Sequence, residues 1–272
     1  MLDGSLLLCK RSRAALRGRL LLGTWLAATP RRVWRQKRIA VVVPAFNEER
    51  LIARTVAGIP AYVDRVVVVD DASRDCTWDK VRALGQARVA LIRHLHNQGV
   101  GAAIATGYYR ALREGAEIIA VMAGDNQMRP DELSALLDTA IDGVDYAKGN
   151  RLLHASRKRM PRLRRLGSRA LSGLTRAASG LSVGDCQCGF TALRAELAER
   201  LPLDDMWPRY GYPNDLLLLL AAAGGRVRDV PVSAVYADES SGLHAGHVVA
   251  IAYRIMRRAW QLRGRGSRPS LW

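Results

Sequence analysis

The chain has 272 residues, with 42 Lys and Arg against 25 Asp and Glu, a formal charge of +17. That length is ample for a full hydrophobic core, and a composition 49% hydrophobic and 25% charged excludes disordered and fibrous classes. Four cysteines are too few for a disulfide scaffold, whereas the charge calls for an anionic partner: nucleic acid, a membrane surface or a phosphorylated substrate.

The charge is unevenly spread. Residues 1–38 carry +9, residues 151–184 carry +9 with no acid, and residues 241–272 carry +6 with no acid, so the rest of the chain is mildly acidic at −7. A membrane span needs about 18–20 apolar residues. The longest apolar runs, 20–28 and 216–223, fall well short. The N-terminus imitates a signal peptide, but Arg31, Arg32, Arg35, Lys37 and Arg38 follow without a small-residue cleavage site. Residues 1–37 are expected to form a basic amphipathic extension lying on an anionic membrane face, the alternative being a solvated or ragged extension.

Residues 39–43 are a β-branched run closed by Pro44, which predicts a buried strand. A helix follows Asn47 and Glu48, patterned on Leu51, Ile52, Val56 and Ile59 and broken by Pro60. Residues 66–69 predict a second strand ending at Asp70-Asp71-Ala72-Ser73, with Ser73 or Asp75 capping a helix that bears Trp78, Val81 and Leu84. A third strand, 89–92, leads through Asn97, Gly99 and Gly101 into an Ala-rich helix over 102–114. A fourth, 118–122, ends at Gly124-Asp125-Asn126; Pro130 opens another helix, and 145–148 predicts a short strand before Gly149-Asn150-Arg151. Strands alternating with helices of about 10–15 residues predict βαβ units, a mostly parallel sheet and ligands beyond the C-terminal strand ends. The polar clusters recur at those ends.

Beyond Arg151, residues 157–180 predict one or two basic helices, and 185–190 a compact loop or strand. Residues 191–201 predict a helix, and Asp215 precedes an apolar helix over 216–223. A strand over 227–232 contains Pro231, which places it at a sheet edge. Residues 247–262 predict a basic amphipathic helix. Cys186 and Cys188 lack the Cys or His partners a zinc site needs and are expected to be buried packing residues.

Pro44-Ala45-Phe46-Asn47-Glu48-Glu49, Val69-Asp70-Asp71-Ala72-Ser73 and Asn97-Gln98-Gly99-Val100-Gly101, followed by Gly124-Asp125-Asn126-Gln127, Gly149-Asn150-Arg151, Asp185-Cys186-Gln187-Cys188-Gly189-Phe190 and Gly211-Tyr212-Pro213-Asn214-Asp215, together resemble the motif series of inverting family 2 glycosyltransferases. The series is most similar to the polyprenyl-phosphate branch that contains dolichyl-phosphate mannose synthases. The resemblance implies an α/β GT-A fold: a Rossmann-like, mostly parallel sheet flanked by helices. It covers 38–242, with a nucleotide-sugar half at 38–150 and an acceptor half at 151–242, and a basic helix and tail at 243–272.

The resemblance implies transfer of one sugar from a nucleotide sugar to a membrane polyprenyl phosphate. Pro44, Ala45, Asn47, Glu48, Ser73, Asn97, Gly99, Gly101 and Asp125 would line the nucleotide-sugar site, with Asp70 or Asp71 on the base. Asp70 and Asp71 read alternatively as helix-capping residues. A divalent metal, Mg2+ or Mn2+, would bind Asp125 with help from Gln127 and stabilise the leaving diphosphate. Ala123 stands where the family's Asp-x-Asp has its first acid, which weakens the metal site; the simplest alternative makes Asp125 and Asn126 a turn.

A lipid phosphate, with a second pKa near ~6, attacks without a protein base, so its site needs cations. The resemblance implies that Arg151, with Arg164 or Arg165 and Ser168 nearby, would hold it, Arg supplying a planar fork; a solvated basic face over 157–169 is the alternative. A hydroxyl acceptor would instead need a base, Asp185 or Asp215. With Asp125 and Arg151 these complete the candidate catalytic set. Family members often carry transmembrane helices after the catalytic domain, so a separate membrane partner protein is expected, with the enzyme peripheral on the cytoplasmic face. A nucleic-acid partner is disfavoured by two Phe and the acidic remainder.

Overall fold

The computed structural model describes residues 34–233 and 245–266. Nearly all of the expected N-terminal extension lies outside the described residues, as do 234–244 and the last six residues.

The first strand, β1 (Ile39–Ala45), is followed by helix α1 (Ile52–Gly58), then β2 (Arg65–Asp70), α2 (Thr77–Ala83), β3 (Val89–Arg93), α3 (Val100–Arg113) and β4 (Ile118–Val121). These strands are parallel neighbours in the order β3-β2-β1-β4. After α4 (Leu133–Ile141) come β5 (Tyr146–Asn150), α5 (Arg162–Ser179), β6 (Thr191–Arg194), α6 (Ala195–Ala198), α7 (Tyr212–Ala222), β7 (Val227–Pro231) and α8 (Ala245–Gly266). Among the described residues the sheet has seven strands, in the order β3-β2-β1-β4-β6-β5-β7. β6 is antiparallel to both neighbours and β7 is parallel to β5.

The apolar runs are continuous because both sheet faces are covered. Ala40, Val42, Val67, Val69, Ile119 and Val121 face the side carrying α3 and α7. Ile39, Val41, Val43, Val66, Val68 and Ile118 face the side carrying α1 and α4. Burying one such side chain contributes about 1.5–3 kcal/mol. A third cluster, Leu171, Leu218, Ile251 and Ile255, joins α5, α7 and α8 away from the sheet.

Pro231 ends an edge strand, as its missing N–H requires. The helix expected over 191–201 is corrected: Thr191–Arg194 is the antiparallel strand, and only Ala195–Ala198 is helical. Its Thr-Ala-Leu-Arg sequence has no strong strand pattern; pairing with β4 and β5 overrides propensity. Ser73 does not cap α2, because its hydroxyl accepts from Asn47 N at 2.9 Å. Asp75 accepts from Thr77 N instead.

Candidate functional site

The loops after β1 and β2 are laced together. Asn47 N donates to Ser73 Oγ at 2.9 Å, Arg74 N to Asn47 Oδ1 at 2.9 Å and Glu48 N to Thr77 Oγ1 at 2.8 Å. Asn47 holds a positive φ of 57°, a conformation Asn tolerates. Pro44 O accepts from Gly124 N and Ala45 O from Asp71 N, which brings the ends of β1, β2 and β4 together.

The two adjacent acids have different duties. Asp71 is buried and accepts from Gln98 N at 2.8 Å and Gly99 N at 2.7 Å, with His94 Nδ1 2.7 Å away. Both of its oxygens hold the loop before α3. Asp70 Oδ1 accepts from Ser73 N, while its buried Oδ2 lies 3.1 Å from Arg93 Nε without a hydrogen bond. Of the pair, Asp70 alone keeps an oxygen without a hydrogen-bond partner.

Gly99 and Gly101 lie against the chain's own backbone. Gly99 has a φ of 102°, and a Cβ at either position would collide with the backbone at Trp207 and Pro208. Gly101 N donates to Pro208 O at 2.7 Å. The close approach that needs glycine is made by the chain itself. Asn97 Nδ2 donates to Asp71 O at 3.3 Å and belongs to the same loop.

A cleft of about 230 Å³ is lined by residues of both halves of the chain. Ala123, Asp125 and Gln127 line it from the β4 end, Arg151 and Ser168 from the other half, and Gln187, Tyr210 and Tyr212 complete it. Asp125 Oδ1 accepts from Gln127 N at 3.0 Å, and Asn126 has a φ of 56°, so the expected turn and the expected cleft carboxylate are the same residue. Among the described residues no group of three His, Cys, Asp or Glu is placed to hold a metal. The protein offers one carboxylate and amide oxygens there, a hard donor set that would suit a divalent ion.

Arg151 grips Asp185 through Nε at 2.7 Å, Nη2 at 3.0 Å and its backbone N at 3.2 Å. Ser168 Oγ adds a fourth bond at 3.0 Å. Asp185 is 0% exposed. Burial alone would raise its pKa; the Arg151 guanidinium, with the bonds it donates, outweighs that and holds the carboxyl below its usual range. Asp185 is therefore a buried anchor for Arg151. Arg165 does not line the cleft, and the side chain of Arg164 is outside the described residues.

Asp215 is likewise paired with an arginine. It accepts from Trp207 N at 2.8 Å and from Arg258 Nε at 2.6 Å and Nη2 at 2.9 Å. It lines a different cavity of about 470 Å³ beside α8, with Trp207, Arg254, Arg257 and Trp260. Its motif neighbour Asn214 is the one tied to a cleft residue, Gln187.

Two further residues, one buried and one half-buried, are not apparent from the sequence pattern. Lys148, fully buried on β5, donates to Cys188 O at 2.5 Å. Asp229 on β7 accepts from Asn150 Nδ2 and Gly184 N, both at 2.7 Å, and burial raises its pKa. An isolated Lys inside a short strand was the available signal. Cys186 and Cys188 are buried and their thiol pKa values raised by burial, as packing residues require.

Residues 40–201 match the model of glycosyl transferase family 2. The chain is 28% identical to the UDP-N-acetylglucosamine–dolichyl-phosphate N-acetylglucosaminyltransferase of Methanococcus voltae, over 84% of this chain and 96% of the relative. It is equally 28% identical to the undecaprenyl-phosphate mannosyltransferase of Micrococcus luteus, with the same coverages. Among solved structures, the glucosyl-3-phosphoglycerate synthase of Mycobacterium tuberculosis in complex with Mn2+, UDP-glucose and glycerol 3-phosphate aligns with a TM-score of 0.61 at 20% identity, over 85% of this chain and 81% of that one. That likeness shows the fold.

Proposed function

From the premise that the chain belongs to glycosyl transferase family 2, we propose that it transfers a single sugar, with inversion, from a nucleotide sugar to a polyprenyl phosphate. The observation that carries the reading is the single cleft shared by Asp125 and Arg151, a carboxylate for the donor side and a guanidinium for the acceptor side. The relatives named for dolichyl- and undecaprenyl-phosphate transfer support the acceptor class.

The donor's nucleotide would lie across the ends of β1 and β2, with Asp70 on the base and Pro44, Ala45 and the Asn47–Ser73 lacing as its floor. Asp125 and Gln127 would hold a divalent ion, Mg2+ or Mn2+; when bound it supplies Lewis-acid stabilisation of the departing diphosphate. Arg151, aimed by Asp185 and Ser168, would bind the lipid phosphate and set its oxygen behind the anomeric carbon. That oxygen forms the new C–O bond as the bond to the diphosphate breaks, through an oxocarbenium-like transition state. A phosphate nucleophile needs no base, which agrees with Asp185 and Asp215 both being bound to arginines.

Membrane docking belongs to the same proposal. Among the described residues no helix is long and apolar enough to cross a bilayer. On α8, Ile251 and Ile255 pack inward, while Val249, Tyr253, Met256 and Trp260, spaced i, i+4, i+7 and i+11, are exposed. Arg254 and Arg257 flank that stripe and α8 carries no acid, the pattern of an interfacial helix. We place it on the cytoplasmic leaflet, where anionic lipids and nucleotide sugars meet.

The test is to incubate the protein with polyprenyl phosphate and a panel of labelled nucleotide sugars, with and without chelator. Label entering the lipid phase from one donor, and lost with chelator, is the expected result. No incorporation from any donor would overturn the reading.

A further inference from the structure

We propose that Gln187 supplies an oxygen ligand to the divalent cation of the cleft, in place of the acid absent at position 123. The inference rests on the donor-site reading above and adds a residue to it.

The argument is one of hydrogen-bond direction. A backbone carbonyl only accepts, so Thr175 Oγ1 donates to Leu171 O, at 2.9 Å. That hydroxyl then accepts from Asn214 Nδ2 at 2.8 Å. The Asn214 amide is thereby oriented with Oδ1 outward, and Oδ1 accepts from Gln187 Nε2. Each link fixes the next. Thr175 and Asn214 are 1% exposed, so a turned amide would bury two like groups face to face, at a cost of about 1–3 kcal/mol. With its nitrogen committed to Asn214, Gln187 has its carbonyl oxygen left for the cleft it lines with Ala123, Asp125 and Gln127.

The backbone on either side of Gln187 is held too. Cys186 N donates to Ser172 Oγ at 3.0 Å, and Cys188 O accepts from the buried Lys148. Two helices and a strand thus fix one amide, at the desolvation cost of four buried polar groups. An amide oxygen is a donor suited to Mg2+ or Mn2+. Asp125 and Gln127 come from the segment after β4 and Gln187 from the segment before β6, so the three residues reach the cleft from two separate parts of the chain, a spread that two ligands two residues apart lack.

The test measures Mn2+ binding by electron spin resonance and titration calorimetry, in the presence of UDP or GDP and without acceptor. In Gln187→Leu, Mn2+ affinity should fall about tenfold or more, while metal-free nucleotide binding holds; the unfolding midpoint should drop, because the buried Asn214 Oδ1 loses its donor. Restoring the acid in Ala123→Asp/Gln187→Leu should recover Mn2+ affinity. Gln187→Asn keeps the amide but shortens its reach, and should weaken Mn2+ binding even if the Leu variant fails to fold. Unchanged Mn2+ affinity in Gln187→Asn or Gln187→Leu overturns the inference and leaves the donor-site reading intact. If the unaltered protein binds neither UDP nor GDP with Mn2+, the donor-site reading falls and the inference with it.

Discussion

Arg151 and Asp185 meet side-on, Nε to Oδ2 at 2.7 Å and Nη2 to Oδ1 at 3.0 Å, with the carboxylate wholly enclosed. Removing the arginine leaves a buried charge with only Ser168 Oγ and the residue-151 backbone N–H as donors. Arg151→Ala is therefore expected to lose about 3–5 kcal/mol of stability, measured by denaturant unfolding. Arg151→Lys keeps the charge but not the fork. It should be destabilised less and should show its defect as a raised KM for the lipid phosphate.

The same pair sets a pH dependence. The folded-state pKa of Asp185 lies below its unfolded value of about 3.9. Its contribution is fully present above the unfolded value and is lost as pH falls through the folded one. Asp229 has the opposite sign, since burial raises its pKa: its contribution is present at acid pH and is lost as pH rises through the folded value. Unfolding midpoints from neutrality into the acid range should show the Asp185→Asn deficit shrinking on acidification. The Asp229→Asn deficit should instead grow.

Gly101→Ala should destabilise, although Ala in a helix is normally favoured by about 1 kcal/mol over Gly. A methyl group there meets the backbone of Trp207 and Pro208. A loss of about 1–3 kcal/mol is expected from such overpacking, with weakened nucleotide binding because the loop before α3 is displaced. Thermal unfolding and calorimetry with nucleoside diphosphate check the two halves.

Asp215 and Arg258 are expected to behave as a structural unit. A catalytic base replaced by its amide would abolish turnover and leave stability intact. Asp215→Asn should do the reverse, retaining turnover while lowering stability. Arg258→Ala should be similarly destabilised, and the double variant by less than the sum. A double-mutant cycle of unfolding free energies, with activity assayed below the midpoint, decides between them.

Tyr253 and Trp260 are 60% and 77% exposed. Replacing both with Ser should leave the unfolding midpoint unchanged. Partitioning onto vesicles containing anionic lipid should fall severalfold in a sedimentation assay, and the loss should be smaller on neutral vesicles.

The parallel half was legible because its signals are local. Residues 39–43, 66–69 and 118–122 are apolar runs, each ended by polar residues, and the polar clusters at their ends do converge. The β6 strand was not legible: Thr191 to Arg194 becomes a strand through partners on β4 and β5. The site was legible as a set of residue types at strand ends. Which acids face a ligand and which face an arginine depends on residues distant in sequence. Asp185 meets Arg151, 34 positions away, and Asp215 meets Arg258, 43 positions away. No motif spacing records such pairings.

The antiparallel insertion of β6 also bears on how the chain is made. β3, β2, β1 and β4 assemble from consecutive βαβ units, so their pairings form early and cheaply in loop closure. The outer side of β4 is covered only when Arg194 comes to lie beside Ile118. During synthesis a buried apolar strand thus waits with an open edge until the chain beyond residue 194 has emerged. An open edge is a template for other chains. Truncations ending between 122 and 190 should therefore aggregate rather than persist as a smaller soluble fold, and the full chain's slow folding phase should report the docking of β6.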